Sequence, residues 1–156
     1  MNPQRQPITV LMADDDPDDC MLLEDAWREN KLANPLQFVP DGEALMDCLH
    51  HRGSYESAEE FPLPGLILLD LHMPRKDGRE ALGEIKSDQR LKRIPVVVLT
   101  TSKAEEDILR SYNLGVSGFI TKPVTFEGLV NVVRALSDYW FEIVELPPAA
   151  EGEPNG

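Results

Sequence analysis

Five short apolar runs, each followed by a longer amphipathic stretch, occupy the chain from Ile8 to Asp138 and leave few folds open. Strands that are parallel and joined by helical crossovers produce this alternation, so the pattern predicts an α/β protein with a doubly wound parallel sheet of five strands and five helices. The runs are Ile8 to Ala13, Leu36 to Val39, Leu66 to Leu69, Val96 to Leu99 and Gly118 to Ile120. LILL and VVVL show no polar alternation and are expected to be covered by helices on both faces.

Helix starts fall between the runs. Asp16 is placed to cap a first helix, with Pro17 in its first turn and Cys20, Leu23 and Trp27 along one stripe. A second helix follows Asp41, with Ala44, Leu45, Cys48 and Leu49 inward. A third follows Gly78, with Ala81, Leu82 and Ile85 inward. Ser102 and Glu105 have capping-box spacing for the fourth. The fifth runs from about Thr125 through Leu129, Val133 and Leu136. Residues 1–7 read as an arm, 8–146 as one domain with an apolar extension, and 147–156 as a Pro-, Gly- and Glu-containing disordered tail. Residues 52–64 read as a surface loop.

Charge narrows the possible partners. With 28 acidic residues against 15 Lys and Arg, the formal net charge is −13, which opposes binding to nucleic-acid backbones and to anionic membrane surfaces. The start, MNPQRQP, lacks the apolar stretch of a signal peptide, and no run approaches the roughly 18 apolar residues of a membrane span. Cys20 and Cys48 have no metal or redox spacing, and a cytoplasmic location is expected.

Ligands of open parallel sheets bind beyond the carboxyl ends of the strands, so the residues just after each run are the informative ones. Asp14, Asp15, Asp16, Asp18 and Asp19 follow the first run, Asp70 the third, Thr100, Thr101 and Ser102 the fourth, and Thr121, Lys122 and Pro123 the fifth. Carboxylates crowded at one edge repel one another, and a divalent cation relieves that conflict. Oxygen ligands with open water positions suit Mg²⁺, which commonly shares its shell with a phosphate. A metal, a lysine and a threonine hydroxyl around one carboxylate supply the charge stabilisation that phosphoryl transfer to Asp70 needs. Asp16 is expected to act as a cap, and Asp18 and Asp19 are expected to be solvated.

DDD after the first run, LILLDLHMPRKDG at the third, VVVLTTS at the fourth and GFITKP at the fifth resemble the receiver domain of two-component response regulators. The likeness covers Ile8 to Asp138. It implies a flavodoxin-like strand order 2-1-3-4-5. It further implies Asp70 as phosphoacceptor and a Mg²⁺ site of Asp15, Asp14 (mostly through water), Asp70 and the backbone carbonyl of His72. Thr100 corresponds to the switch hydroxyl, Phe119 to the switch aromatic and Lys122 to the phosphate-binding lysine, and Pro123 would follow a cis peptide. The His72 imidazole is expected to point away from the metal. IKSDQRLKRIPVVVLTTS and the long apolar ending are similar to regulators paired with phytochrome histidine kinases, which implies a sensor histidine kinase of bacterial phytochrome type as partner. The implied protein is a stand-alone phosphoacceptor that catalyses only its own phosphoryl transfer and dephosphorylation, and it signals through protein contacts or a phosphorelay.

Two departures from the pattern stand out. Phe119 lacks the hydroxyl of the tyrosine found in many receivers, which leaves packing to drive its inward rotation. Thr101 occupies a position where many relatives carry a smaller residue. A phosphatase of the haloacid dehalogenase class would need a second aspartate two positions after Asp70, where His72 stands, and neither G-x-x-x-x-G-K-[ST] nor G-x-G-x-x-G occurs. Tyr139, Trp140, Phe141, Ile143 and Val144 extend the apolar pattern past the fifth helix. Five large apolar residues in so short a span predict a symmetric homodimer interface, the alternative being that Trp140 and Ile143 fold back onto their own domain.

Overall fold

The computed structural model describes residues 7–73, 75–112 and 114–141, the side chains of Trp140 and Phe141 excepted. Five parallel strands, β1 (Val10–Ala13), β2 (Leu36–Val39), β3 (Leu66–Asp70), β4 (Val96–Thr100) and β5 (Gly118–Thr121), form one sheet in the order β2-β1-β3-β4-β5. The crossovers carry α1 (Pro17–Glu29), α2 (Gly42–Leu49), α3 (Gly78–Ser87) and α4 (Lys103–Arg110), and α5 (Phe126–Leu136) follows β5. The chain order thus reverses at the β1–β3 pair, and the crevice beyond their carboxyl ends is where a ligand is held in such a sheet.

Alternation along the central strands builds two cores. Leu11, Ala13, Ile67, Leu69, Val96 and Val98 point to one face, where Leu45, Leu49, Leu82, Ile85 and Leu109 of α2, α3 and α4 cover them. Val10, Met12, Leu66, Leu68, Val97 and Leu99 point to the other, against Leu23, Ala26 and Trp27 of α1 and Val130, Val133 and Leu136 of α5. Every residue of β3 and β4 is buried, as unalternated apolar runs require. The edge strand β5 is half-buried throughout.

Local chemistry sets the boundaries. Asp16, Asp41, Ser102 and Thr125 cap α1, α2, α4 and α5 through their side chains. The third helix begins one residue earlier than the sequence pattern places it, because Asp77 is the cap and accepts the Glu80 N–H at 3.0 Å. Gly78 then occupies the first turn, where a Cβ would lie 2.7 Å from the Asp70 carbonyl oxygen and 2.5 Å from the Leu71 Cα. The absent side chain lets α3 start directly beneath the end of β3. β1 starts at Val10, not Ile8: the first ladder bond is Val10 N–H to the Pro35 carbonyl at 2.9 Å. Strands β3, β4 and β5 each run one residue past the apolar run to include Asp70, Thr100 and Thr121, since pairing needs backbone groups and not apolar side chains. The 52–64 segment holds one short 3₁₀ turn, Gly53–Tyr55. A π-helical turn, Ser137–Phe141, follows α5.

Candidate functional site

The sheet brings Asp14, Asp70 and Lys122 together at one edge. Asp14 follows β1 and Asp70 ends β3; the register pairs Ala13 with Leu69, which sets the two carboxylates side by side. Lys122 follows β5 and is anchored by its backbone N–H, which donates to the Thr100 carbonyl at 2.8 Å. Its ammonium lies 3.1 Å from Asp14 Oδ2, 3.1 Å from Asp70 Oδ2 and 2.9 Å from Asp19 Oδ2. The Asp14 and Asp70 side chains are almost wholly buried, whereas Asp15 is exposed. Asp14, Asp15 and Asp70 each present one carboxylate oxygen within 4.8 Å of the other two.

Burial dominates the electrostatics. It pushes the Asp14 carboxyl up from its usual 3.8 to about 6, against the lowering influence of the Asp16 N–H and Lys122, and the Asp70 charge adds to the rise. Burial alone would lower the Lys122 pKa, but the hydrogen bond it donates to Asp19 and the charges of Asp14 and Asp70 outweigh it and raise the ammonium well above its usual range. Lys122 is therefore a fixed positive charge at neutral pH. Backbone donors hold the acidic loops: Asp14 Oδ1 accepts the Asp16 N–H and Asp70 Oδ1 the His72 N–H, each at 2.9 Å. The thiols take no part, since burial raises both Cys20 and Cys48 to about 11.

Thr100 is completely buried at the end of β4. Its hydroxyl is 3.3 Å from both the Ile120 carbonyl and the Thr121 hydroxyl. The His72 imidazole turns outward to Glu105. Glu105 also accepts the Thr101 N–H at 2.8 Å. Its capping-box role is thus diverted from the backbone N–H of Ser102 to the residue before it, and it bridges the loops after β3 and β4. Phe119 is half-buried on the α2–α3–α4 face, with the Arg110 guanidinium 5.0 Å above its ring.

Two expectations need amendment. Asp19 is not left to solvent: on the first turn of α1, its half-buried carboxylate accepts a hydrogen bond from the Lys122 ammonium. The peptide before Pro123 is trans, the intrinsically favoured isomer, and in that form Lys122 already meets all three carboxylates. Of the expected dimer residues, Tyr139 is 55% exposed; the Trp140 and Phe141 side chains, with Ile143 and Val144, lie outside the described residues. Residues 1–6 of the arm and the 147–156 tail lie outside them as well.

The response regulator receiver domain model matches residues 10–134. This chain belongs to that family. The receiver domain is 42% identical to the response regulator Rcp1 of Synechocystis sp. over 92% of this chain and 95% of that protein. The crystal structure of Mn²⁺-bound Rcp1 superposes with a TM-score of 0.77 over 90% of this chain and 99% of that one. The phosphorylated cyanobacterial phytochrome response regulator RcpA is 40% identical, with a TM-score of 0.80 over 91% and 99% of the two chains. The response regulator RPA3017, of red light signalling in R. palustris, is 30% identical, with a TM-score of 0.83 over 91% and 99%. The receiver domain shares the five-stranded sheet and helix arrangement of these regulators, and among its described residues no helix is long and apolar enough to cross a membrane.

Proposed function

We propose that this receiver domain accepts a phosphoryl group on Asp70 from a phosphohistidine of a phytochrome-type sensor histidine kinase. The observation that carries the reading is Asp70 itself, a buried carboxylate with one oxygen held by a backbone N–H and the other facing a lysine and a second buried carboxylate. In the transfer an Asp70 oxygen attacks phosphorus, an O–P bond forms, and the N–P bond of the phosphohistidine breaks with its electron pair returning to the imidazole. Asp70 is the nucleophile, and Lys122 is the fixed cation for the negative charge spread over the phosphoryl oxygens. The Thr100 hydroxyl is one strand away, ready to turn toward the new acceptor oxygens. The product carries a charge of about −1.5 to −2 where a single carboxylate stood, and partners read that change. The role is that of a cytoplasmic signalling protein whose only catalysis is of its own phosphorylation and hydrolysis.

The donor set fits a hard divalent cation: three carboxylate oxygens within 4.8 Å of one another, one of them on a group whose pKa is raised by burial and a like charge. Asp14, Asp15, Asp70 and the His72 carbonyl would hold Mg²⁺, which when bound neutralises this cluster and screens the incoming phosphoryl charge. That the related Rcp1 has a Mn²⁺-bound form supports a divalent metal here.

A phytochrome-type kinase is supported by the likeness to RcpA, a phytochrome response regulator, and to RPA3017, of red light signalling. The test is a competition between a phosphorylated phytochrome-type kinase and an unrelated histidine kinase as donors. Transfer from the phytochrome type is expected to be faster by about tenfold or more, a ratio that modest differences in contact energy supply. Equal rates, or transfer from the unrelated kinase alone, would remove the phytochrome assignment.

Self-association through Tyr139, Trp140, Phe141, Ile143 and Val144 belongs to the same reading, supported by the exposed Tyr139 beside an apolar stretch. Sedimentation is expected to give a dimer at about ten micromolar and a monomer for Trp140→Ala/Phe141→Ala. A monomeric wild type would contradict it.

A further inference from the structure

From Thr100 a chain of polar contacts leads away from Asp70 into helix α4. The Thr100 hydroxyl is 3.3 Å from the Thr121 hydroxyl, and the Thr121 hydroxyl donates to Glu106 Oε1 at 2.9 Å. Glu106 sits in the middle of α4 with its side chain only 8% exposed. Its other oxygen takes Arg110 Nε at 2.9 Å and Lys103 Nζ at 3.3 Å. Arg110 in turn covers the ring of Phe119. The buried switch hydroxyl and the switch aromatic are therefore joined through a carboxylate on α4.

We propose that Thr121 and Glu106 are positioning residues that carry the state of the Thr100 hydroxyl to α4, a role that rests on the phosphoacceptor reading of Asp70. Thr100 has one hydroxyl proton. It serves either the Ile120 carbonyl and Thr121 hydroxyl or a phosphoryl oxygen, not both. While it donates to Thr121, it polarises the Thr121 O–H toward Glu106 and strengthens that bond. Once it turns to the phosphoryl group, the Thr121–Glu106 bond weakens. A buried carboxylate is costly unless its hydrogen bonds are kept, so Glu106 and the α4 turn that bears it shift to recover them. Arg110 moves with that turn and releases the Phe119 ring. A ring without a hydroxyl has no polar handle of its own; here the handle is the threonine–glutamate link, not packing alone.

The test is hydrogen exchange at the α4 amides of the full chain, with and without beryllofluoride and Mg²⁺ as a non-covalent phosphoryl mimic. Occupancy of the mimic is read separately by its fluorine resonances. In the wild type, bound mimic is expected to speed α4 exchange by about fivefold, the worth of one net hydrogen bond in a local opening. Thr121→Val keeps the branched shape and removes the hydroxyl. It is expected to bind the mimic, to show fast α4 exchange from the start and to gain nothing further on binding. Glu106→Gln is expected to behave in the same way, and Thr121→Ser to restore the wild-type response. A full response in Thr121→Val at full occupancy overturns the relay, as does an unresponsive Thr121→Ser or a wild-type α4 that ignores bound mimic. Failure of the wild type to bind the mimic would instead overturn the phosphoacceptor reading, and the relay with it.

Discussion

Asp70→Asn is expected to lower phosphoryl acceptance from kinase or small phosphodonor by about a thousandfold or more, the scale on which loss of a reacting group acts. The amide is nearly isosteric, but its oxygen lacks the carboxylate's charge and does not displace a leaving group from phosphorus. The fold should persist for a physical reason. Lys122 keeps Asp14 and Asp19 as partners, and removing the Asp70 charge relieves one of the influences that raise the Asp14 carboxyl. Labelling with radioactive phosphate, alongside a thermal melt, checks both parts. A folded variant that labels like the wild type would remove Asp70 from the chemistry.

The second large effect is on stability, and its sign depends on metal. Because burial raises the folded-state pKa of Asp14 from 3.8 to about 6, the folded chain holds a proton there that the unfolded chain has already released between those values. Stability contributed by this group is therefore full below about pH 4, falls as pH rises and is spent above about pH 6. At roughly 1.4 kcal/mol per pKa unit the loss is about 3 kcal/mol. Asp14→Asn has no such slope. Without divalent metal it is expected to be more stable than the wild type at pH 7 by about 1–3 kcal/mol, and nearly equal at pH 4. With Mg²⁺ in excess the order should reverse, since a ligand that binds only the folded wild type stabilises it by mass action. Urea titrations at both pH values, with EDTA or with Mg²⁺, read this directly. An Asn variant less stable than the wild type at pH 7 in EDTA would contradict the burial argument.

Asp14, Asp70, Thr100 and Lys122 were legible in the sequence because each stands just past an apolar run, and parallel strands bring all such positions to one edge. The two-sided core was legible for a similar reason: LILL and VVVL leave no polar face for solvent. Asp19 was not, because its contact with Lys122 joins residues 103 apart and depends on how the first turn of α1 is placed beside the end of β5. Glu106 shows a different limit. Leu109, one helical turn on, marks the inward face of α4 and puts Glu106 on it, yet a carboxylate at such a place reads as solvated until Thr121, Lys103 and Arg110 are seen around it. Asp77 caps α3, but in the sequence Gly78 beside it sets the expected helix start one residue later. The close approach of that glycine to Asp70 becomes visible only when the strand end and the helix start are superimposed in space.

The most direct test is to locate the phosphoryl group. The wild-type chain is incubated with acetyl phosphate and Mg²⁺, digested under acid conditions that preserve acyl phosphates, and mapped by mass spectrometry. One added phosphoryl group is expected, on the peptide that contains Asp70, and none when EDTA is present. Modification of a different residue, or none at Asp70 with metal and donor supplied, would contradict it.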